Sequence, residues 1–171
     1  MSEKSLEAEP VSFGARLAGS QAFSLLFREG MALVEETAGY LDGPGRRESK
    51  VLERTGALAY ATESMRLTTR LMQLASWLLL HRAVNEGEMT LAQANKEKAK
   101  VKLSAGDHGD ADMVRLLPER LRDLIERSIR LQERVRRLDS TIHSAGETAA
   151  DGNPVERQVS LLRAAFERNG S

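Results

Sequence analysis

The feature that most constrains the fold of this chain is an apolar pattern between residues 114 and 142. Nine positions follow one another at alternating spacings of three and four residues, and eight of the nine are apolar: Val114, Leu117, Leu121, Leu124, Ser128, Leu131, Val135, Leu138 and Ile142. This spacing places all nine on one face of an α-helix. The pattern predicts a long amphipathic helix that opens between Asp112 and Pro118, runs to His143 and buries one face against other helices.

A first helix is predicted from about Phe13, and it carries two apolar rows. One row is Phe27, Met31, Val34, Ala38 and Leu41, and the row beside it is Phe23, Leu26, Gly30 and Leu33. The sequence Asp42-Gly43-Pro44-Gly45 ends this helix, because glycine adopts the left-handed cap conformation and proline cannot continue the helix.

A second helix is predicted from Arg46 or Arg47 to the breaker at Asn85-Glu86-Gly87, again with two apolar rows. The first row follows heptad spacing, with Thr68 at one position: Leu58, Ala61, Met65, Met72, Ala75 and Leu79. The second row is Leu67, Leu71, Leu74 and Leu78. A helix that is apolar over two rows must contact two neighbours, so this one is predicted to be central.

The predicted fold is all-α: an antiparallel three-helix bundle with a short extra helix, Thr90 to about Val101, capped by Thr90. Residues 1–12 are predicted to be a disordered N-terminal tail, residues 13–143 the bundle domain, and residues 144–171 a flexible linker and amphipathic tail. The tail carries an apolar row at helical spacing, Val155, Val159, Leu162 and Phe166. Because a helix of about a dozen residues is marginal in water, this segment is expected to order only against a partner, which includes its own core.

The uncharged run Leu71–Leu80 is too short to be a membrane anchor. A membrane span needs about 20 apolar residues, and this run is bounded by Arg70 and Arg82. The N-terminal sequence MSEKSLEAEP lacks the basic start and the apolar core of a signal peptide. The absence of cysteine fits a reducing compartment, so the expected localisation is cytoplasmic without membrane contact.

Catalytic, cofactor and metal sites find little support in the sequence. With no cysteine, thiol chemistry and cysteine-bound zinc are excluded, and no Gly-x-Ser-x-Gly turn or glycine-rich phosphate loop is present. His108 lies among carboxylates in Asp107–Asp112, but a turn that places acidic residues near a helix start is the favoured interpretation. We therefore predict no enzyme activity, no cofactor and no metal.

Nucleic-acid binding is also disfavoured. Lys and Arg total 25 and Asp and Glu total 25, so there is no basic excess. The arginines of the third helix alternate with acidic residues at helical spacing, for instance Glu126 with Arg130 and Glu133 with Arg137. We interpret this face as solvated ion pairs and predict no nucleic-acid partner; a DNA-associated regulator that uses these arginines stays a minor alternative.

A surface for other proteins is the remaining possibility. The leucine row 67–78, with Trp77 beside it, exceeds what one antiparallel neighbour would cover. Two interpretations stay open: the whole row lies inside the core, or part of it is an interface in which Trp77 is a contact residue. A homodimer that buries the excess is a natural solution.

Two stretches carry a resemblance to a known family: FREGMALVEETAGYLDGPGR from Phe27, and YATESMRLTTRLMQLASWLLLHRAVNEGEMT from Tyr60. They closely resemble the regulator of CtrA degradation family of alphaproteobacteria. The resemblance implies a non-enzymatic adaptor that forms dimers and acts with a response-regulator co-adaptor. Such an adaptor presents cell-cycle regulatory proteins to the ClpXP protease, and its C-terminal tail contributes to partner recruitment. A helical scaffolding or oligomerisation protein without a delivery role is the alternative.

The resemblance also implies partner-contact roles for individual residues. In the matched block these residues are Arg66, Arg70, Trp77, His81 and Glu86. In the amphipathic tail it is the helical spacing of the apolar row, and not the resemblance, that makes Val159, Leu162 and Phe166 the expected contact residues.

Overall fold

The computed structural model describes residues 20–100 and 109–150, with side chains described as far as Ser144. The ordered elements in these ranges are all helices: α1 (Gln21–Asp42), α2 (Pro44–Lys50), α3 (Arg54–Asn85), α4 (Leu91–Lys98), α5 (Ala111–Val114) and α6 (Glu119–Ala150). The prediction of an all-α helical bundle is confirmed. The N-terminal tail 1–12, His108 and the tail row Val155–Phe166 lie outside the described residues.

The long helices α1, α3 and α6 form the bundle, and the ion pairs give their directions. Arg127 of α6 pairs with Glu36 of α1 at 2.7 Å, and Arg134 pairs with Glu29 at 2.5 Å, so α6 is antiparallel to α1. The α3 helix is also antiparallel to α1, because Trp77 near its end lies against Phe23 at the start of α1.

The α3 and α6 helices therefore run parallel to each other. Three helices cannot all be antiparallel to one another, so the predicted antiparallel bundle contains one parallel pair, which is α3 with α6. The connection between them, residues 86–118, is long enough to carry the chain back along the bundle before α6 begins.

In each long helix a single apolar row forms the core. The α6 row is buried as predicted, with Leu121, Leu124, Ser128, Leu131 and Val135 at most 1% exposed. In α1 and α3 the buried row is the second of the two predicted rows, for example Leu67, Leu71, Leu74 and Leu78. Gly30 allows α1 to approach α3 closely, since a Cβ atom there would lie 2.5 Å from Leu78 Cδ1.

Individual capping and breaking residues determine where the helices begin and end. Ser20 caps α1 by accepting a hydrogen bond from the amide of Phe23 at 3.3 Å. The helix α1 ends at Asp42 as predicted, but Gly43 has φ −117° and ψ −106°, so the predicted left-handed cap conformation is wrong. Pro44 occupies the first turn of α2, where its missing N–H costs nothing. The predicted continuous helix from Arg46 is interrupted, because Glu53 has extended backbone angles and starts α3 afresh.

The α6 helix continues to Ala150, past its predicted end at His143 and into the stretch assigned to the linker. Three of the seven residues 144–150 are alanine and one is glutamate, and both types have high helix propensity, which outweighs the one glycine.

The short helix α4 packs on the bundle. Thr90 caps it in a reciprocal arrangement with Gln93, with hydrogen bonds of 3.2 and 3.0 Å. Ala94 is 1% exposed, and Lys98 forms an ion pair with Asp139 of α6. The α4 helix thereby ties the crossover connection to both α3 and α6.

Candidate protein-interaction surface

The outer face of α3 carries four large apolar side chains at seven-residue intervals. Leu58, Met65, Met72 and Leu79 are 66%, 72%, 67% and 48% exposed. A seven-residue apolar repeat is the pattern by which one helix packs along another in a coiled coil. We call these four residues the α3 seam; it spans about 32 Å at 1.5 Å per residue.

Small side chains follow each of the first three seam residues three positions later: Ala61, Thr68 and Ala75. This alternation of large and small residues allows a second helix backbone to come close. The seam also carries no charge. The charged residues of α3 between Arg54 and Arg82 are Glu63, Arg66 and Arg70, and these point away from the seam.

An exposed, uncharged apolar strip along a whole helix is unusual on a protein surface and marks a protein–protein contact site. The sequence left the leucine row 67–78 open between the core and an interface. The structure places those leucines in the core, and the seam is the apolar surface left over.

Trp77 lies in the core between α1, α3 and α6, with 1% of its surface exposed. Its indole N–H donates a hydrogen bond to Asp139 Oδ1 at 2.8 Å, and its ring centroid is 6.2 Å from that of Phe23. His81 is fully buried and its ring centroid is 4.1 Å from that of Trp77. In this conformation both predicted contact residues contact the chain's own core, where a partner does not reach them.

The polar groups around Trp77 are held in defined charge states. Burial alone would raise the pKa of Asp139, but hydrogen bonds from Lys98 and Trp77 outweigh it and lower the pKa. Burial lowers the pKa of His81 to about 4, and the nearby Lys98 adds to this effect. Among the described residues neither ring nitrogen of His81 has a hydrogen-bond partner. His81 is therefore neutral at pH 7.

His81 makes stability depend on pH, and the sign follows from its lowered pKa. The unfolded chain, with a histidine pKa of 6.5, binds the proton that the folded chain excludes down to about pH 4. We expect the free energy of unfolding to fall by about 2 kcal/mol between pH 7.5 and pH 5, and His81→Phe to remove this loss. Urea unfolding at both pH values measures it.

The exposed His143 gives the matched control, because His143→Gln leaves His81 in place and should keep the pH dependence. Asp139 changes the free energy of unfolding only below about pH 4, where its carboxylate becomes protonated. This lies outside the range between pH 7.5 and pH 5. An identical loss between pH 7.5 and pH 5 in wild type and His81→Phe would contradict the assignment.

Arg70 joins α3 to α6 inside the bundle. It is 7% exposed, and its Nη1 donates a hydrogen bond to Ser128 Oγ at 2.9 Å. Ser128 in turn donates to the carbonyl of Ile125 at 2.6 Å. This contact explains the one polar position in the apolar row of α6, which sequence reasoning left without a role.

The other two predicted contact residues of the matched block are accessible. Arg66 pairs with Glu63 at 2.9 Å, and its side chain is 35% exposed. Glu86 pairs with Arg82 at 2.9 Å, and its side chain is 47% exposed. For these two a role in partner contact stays a prediction.

Residues 20–100 and 109–150 contain no group of three or more metal-ligating His, Cys, Asp or Glu side chains. Over the same ranges no helix is both long and apolar enough to span a bilayer.

Fold and surface together define a class: a helical-bundle protein whose most distinctive exposed feature is an apolar seam along one helix. Residues 14–166 match the family described as protein of unknown function DUF1465. The crystal structure of RcdA from Caulobacter crescentus CB15 is 54% identical in sequence, with a TM-score of 0.60, and the match covers 75% of this chain and 96% of that one. No curated protein matches. The chain belongs to the RcdA family, DUF1465, and the resemblance seen in the sequence is confirmed.

Proposed function

We propose that this chain is a non-enzymatic adaptor that delivers cell-cycle regulatory proteins to the ClpXP protease. The observation that carries the proposal is the 54% identity to RcdA over 96% of that chain. Identity at this level across a whole bundle preserves surfaces as well as the core, so the regulated-proteolysis role that the resemblance implies is expected here too.

The surface chemistry supports an adaptor. The most distinctive exposed feature of the protein, the α3 seam, is suited to binding polypeptides. An adaptor needs no catalytic group, because it acts by tethering a substrate near the protease. Tethering converts the second encounter into an intramolecular one, which is worth a gain of roughly 10²–10⁴.

A second copy of the chain is the proposed occupant of the α3 seam. Two identical seams are self-complementary, because the large residues of one helix can pack beside the small residues of the other. Length also favours this occupant. A second α3 covers the full seam of about 32 Å, whereas the tail row Val155–Phe166 would cover about 17 Å.

Other partners use the surfaces that remain. We assign the response-regulator co-adaptor and the substrates to two surfaces. The first is Arg66 and Glu86, as the resemblance implies, and the second is the apolar tail row Val159, Leu162 and Phe166. The proposed site of action is the cytoplasm, where the protease partner and the regulators would meet.

Reconstituted proteolysis tests the adaptor role. Purified ClpXP, the response-regulator co-adaptor and a CtrA-type substrate are combined with and without this chain, and substrate loss is followed over time. The chain is expected to accelerate degradation at substrate concentrations below KM. A substrate with its own ClpXP recognition tag is the control, and its rate should not change. Equal rates with and without the chain would favour the scaffolding alternative.

A further inference from the structure

A second apolar feature lies at one end of the bundle, between the first half of α1 and the last turn of α3. It is a groove of about 770 Å³ whose floor includes Phe23, Phe27 and Met31. Charged residues of both signs line its rim: Arg28, Glu35, Arg82 and Glu86. Arg82 lies over the Phe27 ring, with its guanidinium carbon 5.1 Å from the ring centroid.

We propose that this groove binds the chain's own C-terminal segment, residues 155–166, as an amphipathic helix. Val159, Leu162 and Phe166 would face the groove floor. This docking is intramolecular and does not depend on the adaptor role; a partner that binds the same three side chains would displace the segment from the groove.

The dimensions of groove and segment agree. Along α1 the groove extends from Phe23 to Glu35, about 18 Å at 1.5 Å per residue. The apolar row Val155–Phe166 is about 17 Å long in a helix. A short amphipathic helix is marginal in water, and an apolar groove of matching length supplies the contacts it lacks.

The chain also delivers the segment to the correct end of the bundle. Because α6 is antiparallel to α1, it passes the end of the bundle where α1 begins and α3 finishes, and its last residue Ala150 lies about 12 Å beyond the first residue of α1 at 1.5 Å per residue. Residues 151–154 connect it to the segment and span up to about 14 Å. A connection this short gives an effective concentration in the millimolar range, so modest intrinsic affinity is sufficient.

Charge supports the same occupant. The segment carries both signs beside its apolar row, with Glu156 and Arg163 as examples, which matches a rim of mixed charge. The N-terminal segment before Ser20 is the rival occupant, since it enters α1 close to the groove. Its apolar residues Phe13 and Leu17 form a shorter row, which fills less of the groove.

Disulfide trapping tests the docking, and the absence of cysteine in the chain makes the background clean. The test pair is Met31→Cys with Leu162→Cys. The matched control is Leu25→Cys with Leu162→Cys, because Leu25 is exposed on another face of α1. A third pair, Met31→Cys with Leu17→Cys, reports on the N-terminal segment. Each reduced variant is first shown to unfold in urea like the wild type.

Under mild oxidation at low protein concentration, the 31–162 pair is expected to form an intrachain disulfide at least 10-fold faster than the 25–162 pair. Non-reducing electrophoresis and mass spectrometry measure the rates. Equal rates for these two pairs would overturn the proposal. Faster closure of the 17–31 pair would assign the groove to the N-terminal segment and overturn it as well. A covalent dimer through residues 31 and 162 would place the segment on a second copy, against the intramolecular assignment.

Discussion

Replacing Trp77 by alanine is expected to lower the free energy of unfolding by about 4 kcal/mol, the typical cost of a buried Trp-to-Ala change. Trp77 is 1% exposed and lies against Phe23 and His81, so its loss opens a cavity where α1, α3 and α6 meet. The change also removes the hydrogen bond that Asp139 accepts at 2.8 Å. Urea unfolding followed by circular dichroism, at one fixed protein concentration, measures the loss.

Two control variants separate the packing of the Trp77 ring from its hydrogen bond as contributions to the free energy of unfolding. Trp77→Phe keeps most of the apolar contact but loses the indole donor, so about 1–2 kcal/mol is expected from leaving Asp139 without it. Leu25→Ala removes an apolar side chain that is 55% exposed and should change stability by less than about 0.5 kcal/mol. A loss at Trp77→Ala as small as that at Leu25→Ala would show that the indole is not enclosed.

Introducing Met65→Glu together with Met72→Glu is expected to weaken self-association more than 100-fold. At the centre of a paired seam each carboxylate would be desolvated with no opposite charge in the seam to offset it. The folded monomer should be almost unaffected, because these side chains are 72% and 67% exposed. Sedimentation equilibrium should give twice the chain mass of 18.9 kDa for the wild type and 18.9 kDa for the variant.

Leu25→Glu is the matched control for the seam. It places a new carboxylate at another exposed apolar position, on α1 and away from the seam. This variant should associate like the wild type. If Leu25→Glu dissociates the protein while the double glutamate variant remains associated, the interface lies elsewhere.

The burial of α6 could be predicted from the sequence because its pattern permits only one buried face. The rows of α1 and α3 could not be ranked in this way, since both rows of each helix are apolar and periodicity does not say which one faces inward. The choice depends on long-range packing, such as the close approach of Gly30 to Leu78.

The roles of the site residues also depend on contacts with residues that are distant in the sequence. The sequence left Trp77 open between an interface and the core, because tryptophan is frequent at interfaces and also packs in cores when its N–H finds a partner. That partner is Asp139, sixty-two residues further along the chain, and no local pattern connects the two. Likewise, Ser128 gains its role only because Arg70 lies opposite it.

The central claim, that a second copy of the chain covers the α3 seam in solution, is tested most directly by methionine oxidation followed by mass spectrometry. In the isolated chain Met65 and Met72 are 72% and 67% exposed, and Met113 on α5, at 38%, is the internal reference. If a second copy covers the seam, Met65 and Met72 should oxidise more slowly than Met113 in concentrated solution and faster than it after dilution. If they oxidise fastest at every concentration, the seam is bare and the account is contradicted.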